Sequence, residues 1–252
     1  MDIQKTGSID LSQKNVLISG ASKGIGKAIA TAFAKEGAAV YLCARNEIVL
    51  YNTVAELQTQ YPAATIKAKP FDIAEKANVL AFGEWAQMEA AKYGTGEIDI
   101  LVNNAGIFKP GSIYNEADGL LENLIATNLY SAYHLTRFIV PKMIDAKQGH
   151  IFNICSVASL GAYANGGSYS ISKYALLGFS KNLREELKPH SIKVTAISPG
   201  AVLSDSWGDF DNSEQRIMEA SDIADMIVAS AKLSPQAVVE DMLIRPMLGD
   251  LP

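Results

Sequence analysis

Short apolar runs alternate with apolar residues at helical spacing along most of the chain. The run Asn15-Val16-Leu17-Ile18-Ser19 ends in a glycine-rich turn, and apolar residues then recur every three or four positions up to Gly37. This pattern predicts a strand, a turn and a helix. Further strands are predicted at 39–43, 65–71, 98–102, 150–155, 192–197 and 238–246. Further helices are predicted after Asn46 and at 75–93, 120–144, 169–187 and 223–233.

Strands that are apolar throughout and separated by helices are typical of a parallel sheet covered on both faces. We therefore predict an α/β fold with a Rossmann-type doubly wound parallel sheet of about seven strands, forming a single domain over residues 1–252. In such a sheet, ligands bind beyond the carboxyl ends of the strands. Residues 202–212 alternate between polar and aromatic, with Trp207 and Phe210 as the bulky members, and the segment 202–222 is interpreted as a substrate lid.

Composition excludes several classes of protein. The chain of 252 residues is 48% hydrophobic and 19% charged, which predicts a sizeable core and no disordered tract. Its net charge of −5, with dispersed Lys and Arg, argues against nucleic acid as a partner. No membrane span or signal peptide is expected, which makes the cytoplasm the predicted location. The cysteines Cys43 and Cys155 lie in apolar runs, no disulfide is implied, and the three histidines lack metal-site spacing.

The glycine-rich turn after the first predicted strand is a candidate phosphate-binding site. Gly20, Gly24 and Gly26 lack a Cβ, so backbone N–H groups can approach a pyrophosphate at the helix N-terminus. A plain strand-to-helix turn is the alternative interpretation.

Three other groups of residues complete a recognisable set. Asn103-Asn104-Ala105-Gly106 follows the fourth predicted strand, and Ser156 precedes Tyr169 and Lys173. With the glycine turn and Asn128, this order resembles the short-chain dehydrogenase/reductase family, and the resemblance runs over residues 11–204. The family's glycine motif begins with Thr where this chain has Ser19, a substitution that keeps the hydroxyl.

The resemblance implies a role for each catalytic candidate. Tyr169 would donate a proton to a carbonyl oxygen, Ser156 would hydrogen-bond that oxygen, and Lys173 would hold the nicotinamide ribose. Shifting a tyrosine pKa from about 10 to neutrality takes roughly 4 kcal/mol, which Lys173 and a positively charged nicotinamide ring are expected to supply. Asn128 would kink its helix and complete a proton relay; an incidental exposed asparagine is the alternative.

The end of the second strand predicts which dinucleotide binds. Ala44-Arg45 stands where an acid would repel a 2′-phosphate, and Lys23 adds a second cation, so NADP(H) is predicted; a merely solvated Arg45 is the alternative. Asp72 would hold the adenine or cap the next helix. The predicted cofactor residues are Gly20, Ser22, Lys23, Gly24, Ile25, Gly26, Arg45, Asp72, Ile73, Asn104, Ala105, Gly106, Tyr169, Lys173, Pro199, Gly200, Val202 and Ser204.

The resemblance predicts an NADP(H)-dependent oxidoreductase that reduces a ketone or aldehyde reversibly. The alternatives are a 3-oxoacyl-carrier-protein reductase and a non-catalytic NADP sensor or scaffold. A small-molecule carbonyl or alcohol is the expected substrate, and a homodimer or homotetramer is expected through helices 120–144 and 169–187. An apolar substrate wall, or simple core packing, is expected from Phe108, 157–163, Leu203, Trp207 and Phe210.

Overall fold

The strands form one parallel sheet in which sequence order reverses near the middle. The computed structural model describes residues 8–204 and 210–250. Within them the sheet has seven strands in the order β3-β2-β1-β4-β5-β6-β7, and every pairing is parallel. The strands are β1 (Asn15–Ser19), β2 (Ala39–Ala44), β3 (Ile66–Pro70), β4 (Ile100–Asn103), β5 (Gly149–Ile154), β6 (Ile192–Pro199) and β7 (Asp241–Ile244).

Helices cover both faces of the sheet and form two apolar cores. The helices are α1 (Gly24–Lys35), α2 (Glu47–Gln60), α3 (Lys76–Ala90), α4 (Leu120–Ile125), α5 (Ser131–Ala146), α6 (Gly167–Leu187) and α7 (Ala220–Ala231). One core packs α1, α2 and α7 against the sheet, with Phe33 buried in it. The other packs α3, α5 and α6 against the opposite face, with Phe82 buried in it. β1, β2, β4 and β5 are buried throughout because both faces are covered.

The predicted single-domain Rossmann-type fold is confirmed. Its switch point lies between β1 and β4, where the chain leaves one half of the sheet for the other. The turns that follow β1 and β4 therefore lie side by side and form a cleft, at the edge where doubly wound sheets bind ligands. Every helix within residues 8–204 and 210–250 is too short or too polar to cross a lipid bilayer.

Several element boundaries differ from those predicted. The helix predicted at 120–144 is α4 and α5 joined by a π-helical turn, Ala126–Tyr130. Helix α6 begins at Gly167, two residues before the predicted start, and α7 begins at Ala220 instead of 223. The predicted lid, 202–222, therefore overlaps the first turn of α7.

The ends of that segment are attached to the rest of the fold. Val202 and Met218 form an isolated parallel bridge, and both are buried. Trp207 and the rest of 205–209 lie outside the described residues, as do 1–7 and 251–252. The lid itself stays a prediction.

Candidate functional site

A cleft of about 1290 Å³ opens at the carboxyl ends of the strands. It is lined by Ser156, Tyr169, Lys173 and every predicted cofactor residue. The cofactor residues come from widely separated parts of the chain. Of the predicted catalytic residues, Asn128 alone lies behind the wall instead of in the lining. One cavity therefore contains the glycine turn after β1, two cations, the asparagine-containing turn after β4, and the helix that carries Tyr169 and Lys173.

The glycine turn after β1 forms a cradle with no room for side chains. Gly20 has a φ of +67°, and a Cβ there would lie 2.7 Å from the Cα of Ala105. A Cβ on Gly26 would collide with the carbonyl oxygen of Gly20 and lie 2.5 Å from Nδ2 of Asn104. The turn leads into the N-terminus of α1, whose unpaired N–H groups favour a phosphate. These features go beyond what a plain strand-to-helix turn requires.

Ser19 and Asn104 join the turn after β1 to the turn after β4. The Ser19 hydroxyl oxygen accepts hydrogen bonds from the backbone N–H groups of Asn104 at 3.2 Å and Ala105 at 3.1 Å. Asn104 Nδ2 in return donates to the carbonyl oxygens of Ser19 at 3.0 Å and Gly20 at 2.9 Å. The hydroxyl that Ser19 keeps in place of threonine therefore holds the two turns together.

Asn103 braces the sheet one residue earlier. Its Nδ2 donates to Asn153 Oδ1 on β5 at 2.8 Å and to Thr136 Oγ1 on α5 at 3.0 Å. The amide thus ties two strands and a helix together directly below the cleft.

Two cations lie at the cleft, Arg45 directly after β2 and Lys23 in the turn after β1. Arg45 and Lys23 are exposed at its rim, while Ala44 is buried. Asp72, at the end of β3, accepts a hydrogen bond from the backbone N–H of Ala74 at 3.2 Å. The N-cap position of α3 is occupied by Glu75, so the helix-cap alternative for Asp72 is wrong.

Asn128 sits in the π-helical turn between α4 and α5 and is buried, which excludes an incidental exposed asparagine. Its Oδ1 accepts from the N–H of Ile107 at 2.8 Å, and its Nδ2 donates to the Ile107 carbonyl at 3.1 Å. The same Nδ2 donates to Ser172 Oγ on α6 at 2.9 Å. A π-turn of this kind is frequent at functional sites, and here it connects the β4 turn to the helix that carries Tyr169.

Tyr169, Ser156 and Lys173 converge on one wall of the cleft. The Ser156 side chain lies close enough to the Tyr169 hydroxyl to lower the pKa of the tyrosine. Lys173 Nζ lies 5.9 Å from the centroid of the Tyr169 ring and donates a hydrogen bond to the Ile154 carbonyl at 2.8 Å. A Cβ on Gly106 would lie 3.4 Å from Lys173 Nζ, so the ammonium packs against the β4 turn.

Burial governs the charge states of this group. It raises the pKa of Tyr169, and the nearby Ser156 side chain offsets this only in part. Burial likewise lowers the pKa of Lys173 to about 8. The expected lowering of the tyrosine pKa by Lys173 is therefore not found, and burial has the largest effect on that pKa. A raised pKa keeps Tyr169 protonated at neutral pH, as a proton donor requires.

Part of the predicted substrate wall lines the cleft, and its contact with a substrate stays a prediction. Phe108 packs edge-on against the Tyr169 ring, with centroids 4.8 Å apart. Of the predicted range 157–163, every residue except Ser159 lines the cleft. Leu203 and Phe210 are absent from the described lining. The backbone N–H of Leu203 instead donates to the Met218 carbonyl at 2.8 Å.

The C-terminal segment reaches the cleft, which the sequence analysis missed. Arg245 and Asp250 line it and form an ion pair at 3.0 Å. A Cβ on Gly200 would lie 2.5 Å from Asp250 Oδ1, so the tail packs directly on the Pro199-Gly200 turn. Arg216 fixes the tail by donating to the carbonyls of Gly249 at 2.9 Å and Asp250 at 3.1 Å. No sequence pattern signals a contact between residues so far apart.

Comparison with known proteins identifies the family. The family model described as short chain dehydrogenase matches residues 14–215. The chain belongs to the short-chain dehydrogenase family. It is therefore an oxidoreductase, and the resemblance noted in its motifs is confirmed.

Its relatives match it over nearly their whole length. An uncharacterised oxidoreductase of Staphylococcus saprophyticus is 29% identical over 95% of this chain and 100% of its own. One from Staphylococcus epidermidis is 30% identical over 93% of this chain and 98% of its own.

Solved structures also resemble this chain over nearly their whole length. A metagenomic short-chain oxidoreductase in complex with NADP is 31% identical with a TM-score of 0.81, covering 95% of this chain and 99% of that one. L-sorbose reductase from Gluconobacter frateurii, complexed with NADPH and L-sorbose, is 26% identical with a TM-score of 0.83, covering 94% of this chain and 97% of its own.

The buried ammonium of Lys173 should make stability depend on pH in a defined window. In the folded protein its pKa is lowered to about 8, and in an unfolded chain a lysine titrates near about 10.4. Between these values the unfolded chain binds more protons, so the free energy of unfolding rises with pH, by up to about 1.4 kcal/mol per unit. Urea unfolding between about pH 8 and 9.5 should show a smaller rise in Lys173→Met than in the wild type. Equal slopes would contradict the buried charge.

Proposed function

We propose that the protein is an NADP(H)-dependent oxidoreductase that reduces a ketone or aldehyde to an alcohol, reversibly. The observation that carries the proposal is that Tyr169 and Ser156 line the same cleft as the glycine turn, with Ser156 close enough to Tyr169 to influence the pKa of its hydroxyl. A protonated tyrosine beside a second hydroxyl can bind a carbonyl oxygen and donate to it. The similarity to an L-sorbose reductase supports the same reaction class.

The cleft fits a nicotinamide dinucleotide in its shape and its donors. The glycine cradle and the N-terminus of α1 would hold the pyrophosphate, Arg45 and Lys23 a 2′-phosphate, and Lys173 the nicotinamide ribose. Asp72 and Ile73 would lie at the adenine, and the Pro199-Gly200 turn at the nicotinamide. When bound, NADPH supplies the hydride that reduces the carbonyl carbon. The NADP-bound relative supports this cofactor.

The protein's own residues handle the proton and the orientation of the substrate. Ser156 donates to the substrate oxygen and fixes its position, and Tyr169 gives up its hydroxyl proton as that oxygen becomes basic. The phenolate that forms is stabilised by Lys173, whose ammonium is already desolvated and held by the Ile154 carbonyl. Asn128, bonded to Ser172 on α6, holds the helix in register and completes the relay to the tyrosine.

The substrate end of the site is mostly apolar. Phe108, Leu160 and Tyr163 line it, and the segment 202–222 is proposed as the lid over it. These residues favour a substrate with an apolar body next to its carbonyl, and they exclude water from the reacting oxygen. A cytoplasmic location is proposed with this function.

A 3-oxoacyl-carrier-protein reductase is the less supported alternative. An acidic carrier protein needs a basic docking surface. The ends of the long helices offer only three lysines, and two of these are paired, Lys142 with Glu97 at 3.4 Å and Lys188 with Glu185, which leaves Lys147 without an ion pair among the described residues. A non-catalytic sensor is less supported still, because it has no need of Ser156, Tyr169 and Lys173 together in one cleft.

Tyr169→Phe should abolish reduction while leaving NADPH binding intact. The ring and its contact with Phe108 remain, and only the proton donor is lost, which costs about 10² to 10⁴ in kcat. Substrates come from a screen of carbonyl compounds with NADPH that includes an acyl thioester. Tyr174→Phe is the matched control, since Tyr174 is exposed on the same helix. A Tyr169→Phe variant that keeps more than about a tenth of wild-type kcat would show that the proton comes from elsewhere.

Cofactor preference should depend on Arg45 and Ala44. A charge-assisted hydrogen bond to the 2′-phosphate is worth about 1.5–3 kcal/mol, so kcat/KM should favour NADPH over NADH by about tenfold or more. The double variant Ala44→Asp/Arg45→Ile should reverse that order, because an acid there bonds the free 2′-OH. A wild-type enzyme that prefers NADH would refute the assignment.

Helices α4, α5 and α6 leave an apolar surface exposed. Its bulky members are Leu121, Tyr130, Tyr133, Ile171 and Tyr174. Symmetric association through this surface would cover them, and we propose a homodimer or homotetramer that buries it.

Light scattering at micromolar concentration should therefore find a dimer or tetramer. Ile171→Glu should dissociate it, because the substitution places a charge in the interface. Ile48→Glu, on exposed α2 at the opposite side of the sheet, is the control and should not change the mass. A monomeric wild type would rule the assembly out.

A further inference from the structure

A glutamate outside the cleft contacts the start of the helix that carries Tyr169. Glu116 lies in the loop between β4 and α4 and is half-buried. Its Oε1 accepts a hydrogen bond at 3.0 Å from the backbone N–H of Ser168, the residue directly before Tyr169. That N–H is one of the unpaired donors in the first turn of α6. Glu116 does not line the cleft, so it can act on the reaction only through the helix.

The fit between this carboxylate and the helix is close. A Cβ on Gly167, the first residue of α6, would collide with Glu116 Oε1 and with the carbonyl oxygen of Gly111. Gly167 also has a φ of +44°, a conformation that glycine adopts without strain. The chain therefore has glycine at a position where a side chain would displace the carboxylate from Ser168.

The same loop makes two further contacts near Tyr169, one with Asn165 before α6 and one with the Tyr169 ring. The N–H of Gly111 donates to the Asn165 carbonyl at 3.0 Å, and the Ser112 hydroxyl donates to Asn165 Oδ1 at 2.9 Å. Asn165 has a φ of +60°, so these bonds hold an unfavourable backbone conformation two residues before α6. Phe108 of this loop packs against the Tyr169 ring.

The second carboxylate oxygen of Glu116 lies in an unfavourable environment. Glu116 Oε2 is buried and has no hydrogen-bond partner among the described residues. An unsatisfied buried acceptor is unfavourable, and a charged one more so. A favourable interaction must offset this cost in free energy, and the structure offers one in the hydrogen bond between Glu116 and Ser168.

We propose that Glu116 is a positioning residue for Tyr169. By accepting from Ser168 N–H it fixes the first turn of α6, and with it the direction of the tyrosine hydroxyl toward Ser156. The inference rests on the proposed role of Tyr169 as proton donor. Misplacement of a reacting group by about 1 Å can cost about a hundredfold in rate, so a residue outside the cleft can control kcat without touching the substrate.

The test compares Glu116→Ala, Glu116→Gln and the control Asp118→Ala, which removes an exposed carboxylate of the same loop. Glu116→Ala should lower kcat by about tenfold or more, with the NADPH Kd from fluorescence titration unchanged. Amide hydrogen exchange in the first turn of α6, measured on the protein without added nucleotide, should become at least about tenfold faster. Glu116→Gln should restore both, because its amide oxygen can accept the same bond.

Three results would overturn the proposal. These are an unchanged kcat in Glu116→Ala, a joint loss of kcat and NADPH affinity, and a Glu116→Gln variant as impaired as Glu116→Ala. If Glu116→Ala does not fold, Glu116→Asp replaces it, since a side chain one methylene shorter keeps the charge and falls short of Ser168. The exchange measurement needs no turnover, so it tests the contact even if Tyr169→Phe stays active and the proposed function fails.

Discussion

The site depends on the hydrogen bonds that join the turn after β1 to the turn after β4. Parallel strands end at the same edge of a sheet, and at the switch point their two turns leave in opposite directions. Ser19 and Asn104 connect those turns through four hydrogen bonds between 2.9 and 3.2 Å. The glycine cradle, the Gly106 turn against Lys173, and the bonds of Asn128 to Ile107 all start from this junction.

Burial then determines the charge states of the side chains on the wall of the cleft that carries Tyr169 and Lys173. Tyr169 and Lys173 are both shifted toward their neutral forms by burial, the tyrosine upward and the lysine to about 8. For the proposed carbonyl reduction, a protonated phenol is the competent acid, and a lysine whose pKa lies close to neutral pH would respond to the charge that forms beside it. Supports behind the wall, from the π-turn at Asn128 and from Glu116 at the start of α6, hold the hydroxyl where that chemistry needs it.

Sequence patterns predicted the parts of this protein that depend on local periodicity and on motif spacing. Buried strands and the residues at their carboxyl ends were therefore located correctly, and the helix boundaries of α6 and α7 were missed by two to three residues. Contacts made only in three dimensions left no such signal: the tail at Asp250 on Gly200, and Glu116 on Ser168. The direction of the Tyr169 pKa shift was also missed, since it depends on burial, which spacing does not reveal.

Isotope transfer tests the central claim most directly. Wild-type enzyme, given a carbonyl compound that it reduces and NADPH carrying deuterium on one face of nicotinamide C4, should yield an alcohol labelled at the carbinol carbon. The opposite labelled face should give unlabelled alcohol, because a cleft with one catalytic wall presents the ring in one orientation. Label from both faces, or alcohol without label from either, would contradict hydride transfer at the Tyr169–Ser156 site.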